Sequence, residues 1–424
     1  MKILNVVTKS EFLSQTATLL TGAVLAQVIF ILFTPLLSRL YTPAEFVIYA
    51  LFTSILSPIS IVVTGKYEQA IVIPGEDNDA IHLYSIVVIL SFVFSILITI
   101  IFMMFKNSIL HFLKAENLGN WLYMVPPSLV FLSFSQGSVF WFIRKKNFRA
   151  SAINKVSQSS LNISSSVPLG FLHVGQGLII GDVVGRLGLA IVSIYQSVRS
   201  GLNFRLLNIT DLLKNLRSFR HFPLYNAVPS VLIPISLSIP IFYINSFFSG
   251  IETGFLNQTR LAIFVPLSLV SAALSQVLLQ RFSEKRKKGF PIKSEFIRML
   301  KNVTAVGVLA ILLIELSGVA LFKFVFGNQW STSGVYSKIL IFSYVIQFIV
   351  SPFGVIFIAF NRIKILSFWQ FFYFSAILLL YFARSLQINN FLMVYTSVEF
   401  TCYLIYLIMI FMVISEYEKN LKDA

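Results

Sequence analysis

Few side chains in this chain could do chemistry, and the most informative of them sit inside apolar runs. Asp182 and Arg186 are four residues apart, a spacing that lets them pair on one helix face. Arg260 has no acid nearer in sequence than Glu252, two turns away. Glu315 and Glu399 stand in long stretches of aliphatic and aromatic residues. A charge at the centre of a bilayer costs about 2.5–3.5 kcal/mol on insertion scales, so such a residue has either a role or a partner. A guanidinium fork matches phosphate oxygens, which suits Arg260 to an anionic ligand. A partner on another helix, or snorkelling to the outer interface, would serve it equally well. Asp182, Glu315 and Glu399 are candidates for ion coupling or for neutral structural roles.

Polar stripes accompany these charges. Asn154, Gln158, Asn162 and Ser165 recur at helical spacing, as do Ser343, Gln347 and Ser351. Asn226, Ser230 and Asn245 share a stretch with Pro223, Pro229, Pro234 and Pro240, which predicts a broken or bendable helix. Together the stripes predict a polar cavity, and interhelical hydrogen bonds are the plainer reading of each residue alone. Gly177, Gly181 and Gly185 form a small-residue face that predicts close helix packing, not a nucleotide site.

Other chemistries lack their residues. His82, His111, His173 and His221 are scattered, and no zinc, nucleophile-elbow or phosphate-loop motif occurs. Direct ATP hydrolysis, metal catalysis and a bound cofactor are therefore not expected, and the chain reads as a non-enzyme.

The elements that must position these residues are membrane helices. Of the 424 residues 57% are hydrophobic and 12% charged, against about 25% charged in soluble domains. Apolar runs of about 20 residues, enough to cross a core of about 30 Å, recur throughout. Helices are predicted at roughly 15–37, 46–64, 82–105, 121–143, 151–172, 178–198, 222–245, 255–280, 300–326, 335–360, 364–386 and 391–414. The first run is too long for a signal-peptide core and is expected to remain as a helix. The single cysteine, Cys402, excludes an intrachain disulfide.

With both termini cytoplasmic, 25 of the 33 basic residues fall on the inner side, the densest cluster running from Arg281 to Lys301. The net charge of +16 is then mostly a topology signal and an attraction to anionic headgroups, with no nucleic acid required. Pro35 and Pro58 are echoed by Pro240 and Pro266. That weak repeat predicts two pseudo-symmetric six-helix lobes, 1–210 and 211–424, around a central cavity.

After the first helix the chain reads Pro35-Leu-Leu-Ser-Arg39-Leu-Tyr41-Thr-Pro43-Ala-Glu45-Phe46, and after the second Lys66-Tyr67-Glu68-Gln-Ala70-Ile-Val-Ile-Pro74. Both strongly resemble motifs of the Wzx-type O-antigen and polysaccharide flippases. Weaker likenesses continue through Lys155-Val-Ser-Gln158, Phe222-Pro223-Leu-Tyr225-Asn226 and Phe326-Gly327-Asn-Gln-Trp330, covering most of 10–360. Val47 stands where that family has Gly, and Lys66 where it has Arg, so the charge at 66 is kept but the bidentate fork is lost. The resemblance implies the fold of the multidrug/oligosaccharidyl-lipid/polysaccharide exporter superfamily. It implies an undecaprenyl-pyrophosphate-linked oligosaccharide as substrate, moved to the outer leaflet of a bacterial inner membrane by alternating access. It further implies a polysaccharide polymerase and a chain-length regulator as partners. Arg39, Lys66 and Arg260 match basic positions of the family. With Glu68 and the polar residues Asn154, Gln158, Asn162 and Asn226 they are the expected substrate contacts. A drug or organic-cation antiporter of the same superfamily, or a membrane polysaccharide polymerase, are the alternatives. The first would want unpaired intramembrane acids, the second a large outer loop.

Overall fold

The computed structural model describes residues 28, 29, 31–223 and 228–422. The described residues are helical throughout, joined by short turns. Among the described residues each predicted apolar run has its helix, while 15–27 and 30 of the first run and 224–227 of the seventh lie outside the described residues. The helices are α1 (Ile31–Leu40), α2 (Pro43–Val62), α3 (Asp77–Phe112), α4 (Val125–Arg144), α5 (Phe148–Phe171) and α6 (Gly177–Arg199). A short α7 (Ile209–Ser218) precedes α8 (Val228–Phe247), α9 (Gly250–Thr259), α10 (Val265–Lys287) and α11 (Lys293–Phe326). The chain closes with α12 (Ser331–Val350), α13 (Val355–Ala359), α14 (Ile363–Leu378) and α15 (Ile388–Lys422). Nine of the helical stretches among the described residues are long and apolar enough to cross a membrane. This is an all-α, multi-pass membrane architecture.

The chain divides into two compact units, Met1–Tyr41 with Glu45–Ser238 and Thr42–Ala44 with Ile239–Ala424. In the first unit α5 lies tightly along α6, and the glycine face explains how. A Cβ on Gly181 would sit 1.9 Å from Ser166 Oγ and 2.9 Å from the Asn162 carbonyl oxygen. One on Gly185 would sit 3.0 Å from the Gln158 carbonyl oxygen. The serine could turn aside, but the Asn162 carbonyl belongs to helix backbone. Gly181→Val is therefore expected to cost about 1–3 kcal/mol or more by overpacking. Size-exclusion chromatography of a fluorescent fusion measures it, and a full-height monodisperse peak for the valine variant would contradict the close approach.

Two local features depart from expectation. The segment 199–221, which lies between two predicted helices, contains α7. Asn208 starts it by accepting from the Thr210 N–H at 3.1 Å. Leu212 and Leu216 of α7 pack on the cluster around Tyr67, Tyr84 and Trp141. The Asn215 amide donates to Asp79 at 3.0 Å. The second departure concerns the prolines. From Val228 onward α8 passes through Pro229, Pro234 and Pro240 as one α-helix. The widened turn lies instead between α9 and α10, where Arg260–Phe264 forms a π-helical turn. Pro266 follows at the start of α10 and has no N–H to give the ladder, so the helix accommodates it by widening there.

The second unit ties its basic surface together. Lys285 bonds Glu295 at 2.6 Å, and Arg281 joins the same carboxylate. Glu418 of α15 accepts from the N–H groups of Ile292 and Lys293, at 3.1 and 2.7 Å, and so closes the start of α11. Part of the densest basic cluster is thus neutralised within the protein.

Candidate functional site

In the second unit, four helices bring one carboxylate into a polar cluster. Glu399 of α15 is fully buried. Its Oε1 accepts from the Tyr373 hydroxyl of α14 at 2.8 Å and from the Tyr395 hydroxyl at 3.0 Å. Its Oε2 accepts from the Gln347 side-chain amide of α12 at 2.9 Å. Tyr395 reaches it because the two are four apart on one helix face. Trp369 stacks on Tyr373 with ring centroids 5.3 Å apart and planes at 6°, which holds that hydroxyl in place. The Ser343/Gln347 stripe read from sequence therefore faces a specific partner.

Arg260 belongs to this cluster. It opens the π turn, is half-buried, and its guanidinium lies over the Phe264 ring at 5.4 Å. It is near enough to Glu399 and Tyr344 for its charge to act on both. Glu252, the acid nearest in sequence, is instead taken by the Tyr336 hydroxyl. Glu399, on which the Arg260 charge acts, lies 139 residues further along the chain. Chemically, the cluster holds a carboxylate bonded only by neutral donors, with a cation within electrostatic range. Such a set can bind an anion at Arg260 and accept a proton at Glu399.

In the first unit, Asp182 and Arg186 pair as their spacing implies. Arg186 Nε meets Asp182 Oδ2 at 2.6 Å, and its second nitrogen meets Oδ1 at 3.1 Å. Tyr49 of α2 is close enough to feel both charges. The α5 stripe lies against α6. Asn154 Nδ2 donates to the Ser193 hydroxyl at 2.8 Å, while its Oδ1 is buried with no partner among the described residues. Asn162 Oδ1 accepts from Ser166 at 3.2 Å, and Gln158 is half-buried beside Gly185. The Asn154–Ser193 bond joins α5 to α6, while the Ser166–Asn162 bond stays within α5. Asn226 lies outside the described residues.

Arg39 is exposed in the last turn of α1, and Lys66 follows α2. The 20 residues of α2 separate them by about 30 Å. Lys66 sits in the left-handed region at φ 61° and meets Glu68 at 3.8 Å. Behind them Arg144 bonds the carbonyls of Pro74 and Gly75, at 2.5 and 3.2 Å, and the Asp77 carboxylate at 2.9 Å. That clamp fixes the turn from Lys66 to Asp77 as one piece.

Glu68 is only 3% exposed, and its Oε2 accepts no bond among the described residues. Burial pushes its carboxyl above the ordinary glutamate range, against the weaker pulls of the Thr64 hydroxyl and the Lys66 charge. The folded chain therefore holds this proton to a higher pH than the unfolded chain does. Stability falls as pH rises from the ordinary glutamate value through the raised one. Glu68→Gln is expected to remove that fall and to raise the melting point most at neutral pH. Thermal unfolding in detergent across the acidic-to-neutral range checks this, and an unchanged slope in the glutamine variant would clear Glu68 as its source.

Among the described residues no group of three His, Cys, Asp or Glu side chains could hold a metal ion. Tyr373 and Tyr395 were missed from sequence, because a tyrosine in an apolar run looks like any other aromatic until its hydroxyl has a partner.

Residues 36–335 match the family model described as polysaccharide biosynthesis protein. No curated protein matches the chain. Among solved structures it is similar to a multidrug resistance MATE family transporter of the MOP superfamily in an inward-facing conformation. That match has 15% identity and a TM-score of 0.72, covering 94% of this chain and 96% of the other. It is similar also to the lipid II flippase MurJ in an inward closed conformation, at 14% identity and a TM-score of 0.70, covering 96% and 90%. A eukaryotic MATE transporter, AtDTX14, matches at 15% identity and a TM-score of 0.63, covering 97% and 100%. At these identities the likeness is one of fold.

Proposed function

We propose, on the premise that the chain belongs to the polysaccharide biosynthesis protein family, that it is a flippase for lipid-linked oligosaccharide. Its substrate is an undecaprenyl-pyrophosphate-linked repeat unit of O-antigen or a related surface polysaccharide, carried from the inner to the outer leaflet of a bacterial inner membrane. The observation that carries this reading is Arg260, a guanidinium set in an apolar helical unit at a π turn. A pyrophosphate crossing hydrocarbon bears a large desolvation cost, and a cation fixed inside the protein lowers it. The lipid tail stays in the bilayer while the sugars need hydrogen-bonding side chains. Arg39 and Lys66, at the two ends of α2, meet the pyrophosphate at different stages of an alternating-access cycle. Glu399 is the better-placed coupling group, because its bonded donors are neutral hydroxyls and an amide, whereas both Asp182 oxygens are held by the charged Arg186.

Chromosomal deletion followed by analysis of lipid-linked intermediates tests the reading. Repeat units should accumulate on undecaprenyl pyrophosphate on the inner leaflet. Normal surface polysaccharide in the deletion strain, or loss of drug resistance in its place, would overturn it.

We infer that both termini lie in the cytoplasm, from the distribution of basic residues. A cysteine replacing Lys287 should resist an impermeant external thiol reagent, while native Cys402 is buried. Labelling at position 287 in intact cells would reverse the orientation.

A further inference from the structure

An open groove of about 680 Å³ lies on the second unit between α11, α12 and α15. Its walls include the exposed side chains of Phe342, Met393 and Phe400. On α11 the neighbours Leu309, Leu312 and Leu316 are exposed too, at 66, 52 and 85%. A face this apolar belongs against acyl chains. Yet the groove also holds one carboxylate, Glu315, and one ammonium, Lys338. Among the described residues neither has a hydrogen bond or ion pair to another side chain, whereas Asp182, Glu252, Glu295 and Glu399 are all partnered.

The two charges stand level with each other. Glu315 lies eleven residues before the end of α11 at Phe326, and Lys338 ten residues after Asn328. At 1.5 Å per residue both are about 15–17 Å from the turn that joins the helices. These helical stretches, of 34 and 32 residues, reach about 50 Å against a core of about 30 Å. An even overhang puts the two charges about 5 Å inside the edge of the hydrocarbon. That is the depth at which a phospholipid headgroup can be drawn down from the interface, and where an unpaired charge is costly.

We propose that this groove binds one zwitterionic phospholipid whose headgroup carries a primary ammonium beside its phosphate. Lys338 holds the phosphate, and Glu315 accepts hydrogen bonds from the ammonium. The Ser397 and Thr401 hydroxyls lie along the same groove, and the acyl chains follow the exposed leucines of α11. One opposite charge satisfies each side chain, and neither a purely anionic lipid nor a simple ion does so. The assignment is independent of what the protein transports.

Full-length protein in mild detergent provides the test. Added phosphatidylethanolamine should raise the unfolding midpoint by several degrees. Phosphatidylcholine has no N–H to donate to Glu315, and phosphatidylglycerol has no cation, so both should raise it less. Glu315→Gln with Lys338→Met should erase the ethanolamine-specific increment. Equal increments from the three lipids would overturn the proposal, as would full retention in the double variant. So would a Glu315–Lys338 coupling that is already complete in lipid-free detergent, because that marks a direct ion pair. If the variants fail to fold, native mass spectrometry of the wild-type protein with an equal mixture of the three lipids decides. Preferential retention of the ethanolamine lipid supports the site, and equal retention refutes it.

Discussion

Surface polysaccharide is expected to disappear when Arg260 is replaced by alanine, with the protein still folded and present in the membrane. Two separate quantities are at stake. The first is stability. Removing Arg260 leaves Glu399 without its neighbouring cation, but Tyr373, Tyr395 and Gln347 still donate to it. Such a carboxyl can also take up a proton, so the loss should stay near the 1–3 kcal/mol of a hydrogen-bonded charge and not the full penalty of a broken buried pair. The second quantity is transport. If Arg260 offsets the desolvation of a pyrophosphate, nothing else in the π turn replaces it, since Leu261, Ala262, Ile263 and Phe264 are apolar. Arg260→Lys keeps the charge and loses the fork, and should retain part of the activity. Immunoblotting of the polysaccharide beside fluorescent-fusion chromatography separates the two. Normal polysaccharide in the alanine variant would remove Arg260 from the phosphate contact. A variant that cannot be detected in the membrane would make Arg260 structural.

The parts of this molecule that could be read from sequence are those set by local spacing. Apolar runs of helical length located the spans, and the Asp182–Arg186 spacing predicted the pair that forms. The Gly177–Gly181–Gly185 face predicted a close packing whose partner is α5. The Ser343–Gln347 stripe pointed inward, as the Gln347–Glu399 bond bears out. What could not be read was which distant residue meets which. Arg260 and Glu399 lie on helices separated by five others, and no local rule connects them. The prolines of 222–245 are hard to read for a related reason. A proline removes one donor, but whether the helix breaks, bends or passes through depends on neighbours that supply packing. At α8 the helix continues, and at Pro266 it widens into the π turn.

The polar stripe of α5 shows the same limit from the other side. Periodicity placed Asn154, Gln158 and Asn162 on one face but could not say what that face meets. It meets α6, where glycines bring the backbones close enough for Asn154 to reach Ser193. Only the unsatisfied Asn154 Oδ1 still calls for a further partner.

Glu399→Ala is expected to be the most destabilising single change in the second unit. The alanine strands three donors on Gln347, Tyr373 and Tyr395 and removes the carboxylate on which the Arg260 charge acts. Removing one side of such a buried set costs about 3–5 kcal/mol, a large share of a total stability of about 5–15 kcal/mol. Glu399→Gln separates packing from charge. Its carbonyl oxygen can still accept from both tyrosines, and Gln347 can turn its own amide to offer an acceptor to the new NH₂ group. That variant should therefore accumulate near wild-type levels. If Glu399 also carries the coupled proton, the glutamine protein will be folded yet unable to export, which a structural role alone does not predict. Tyr373→Phe and Tyr395→Phe each remove one donor of three and should cost about 1–3 kcal/mol. Thermal unfolding ranks the four variants. An alanine variant as stable as the parent would show that the cluster contributes little, and an actively exporting glutamine variant would leave Glu399 a structural role only.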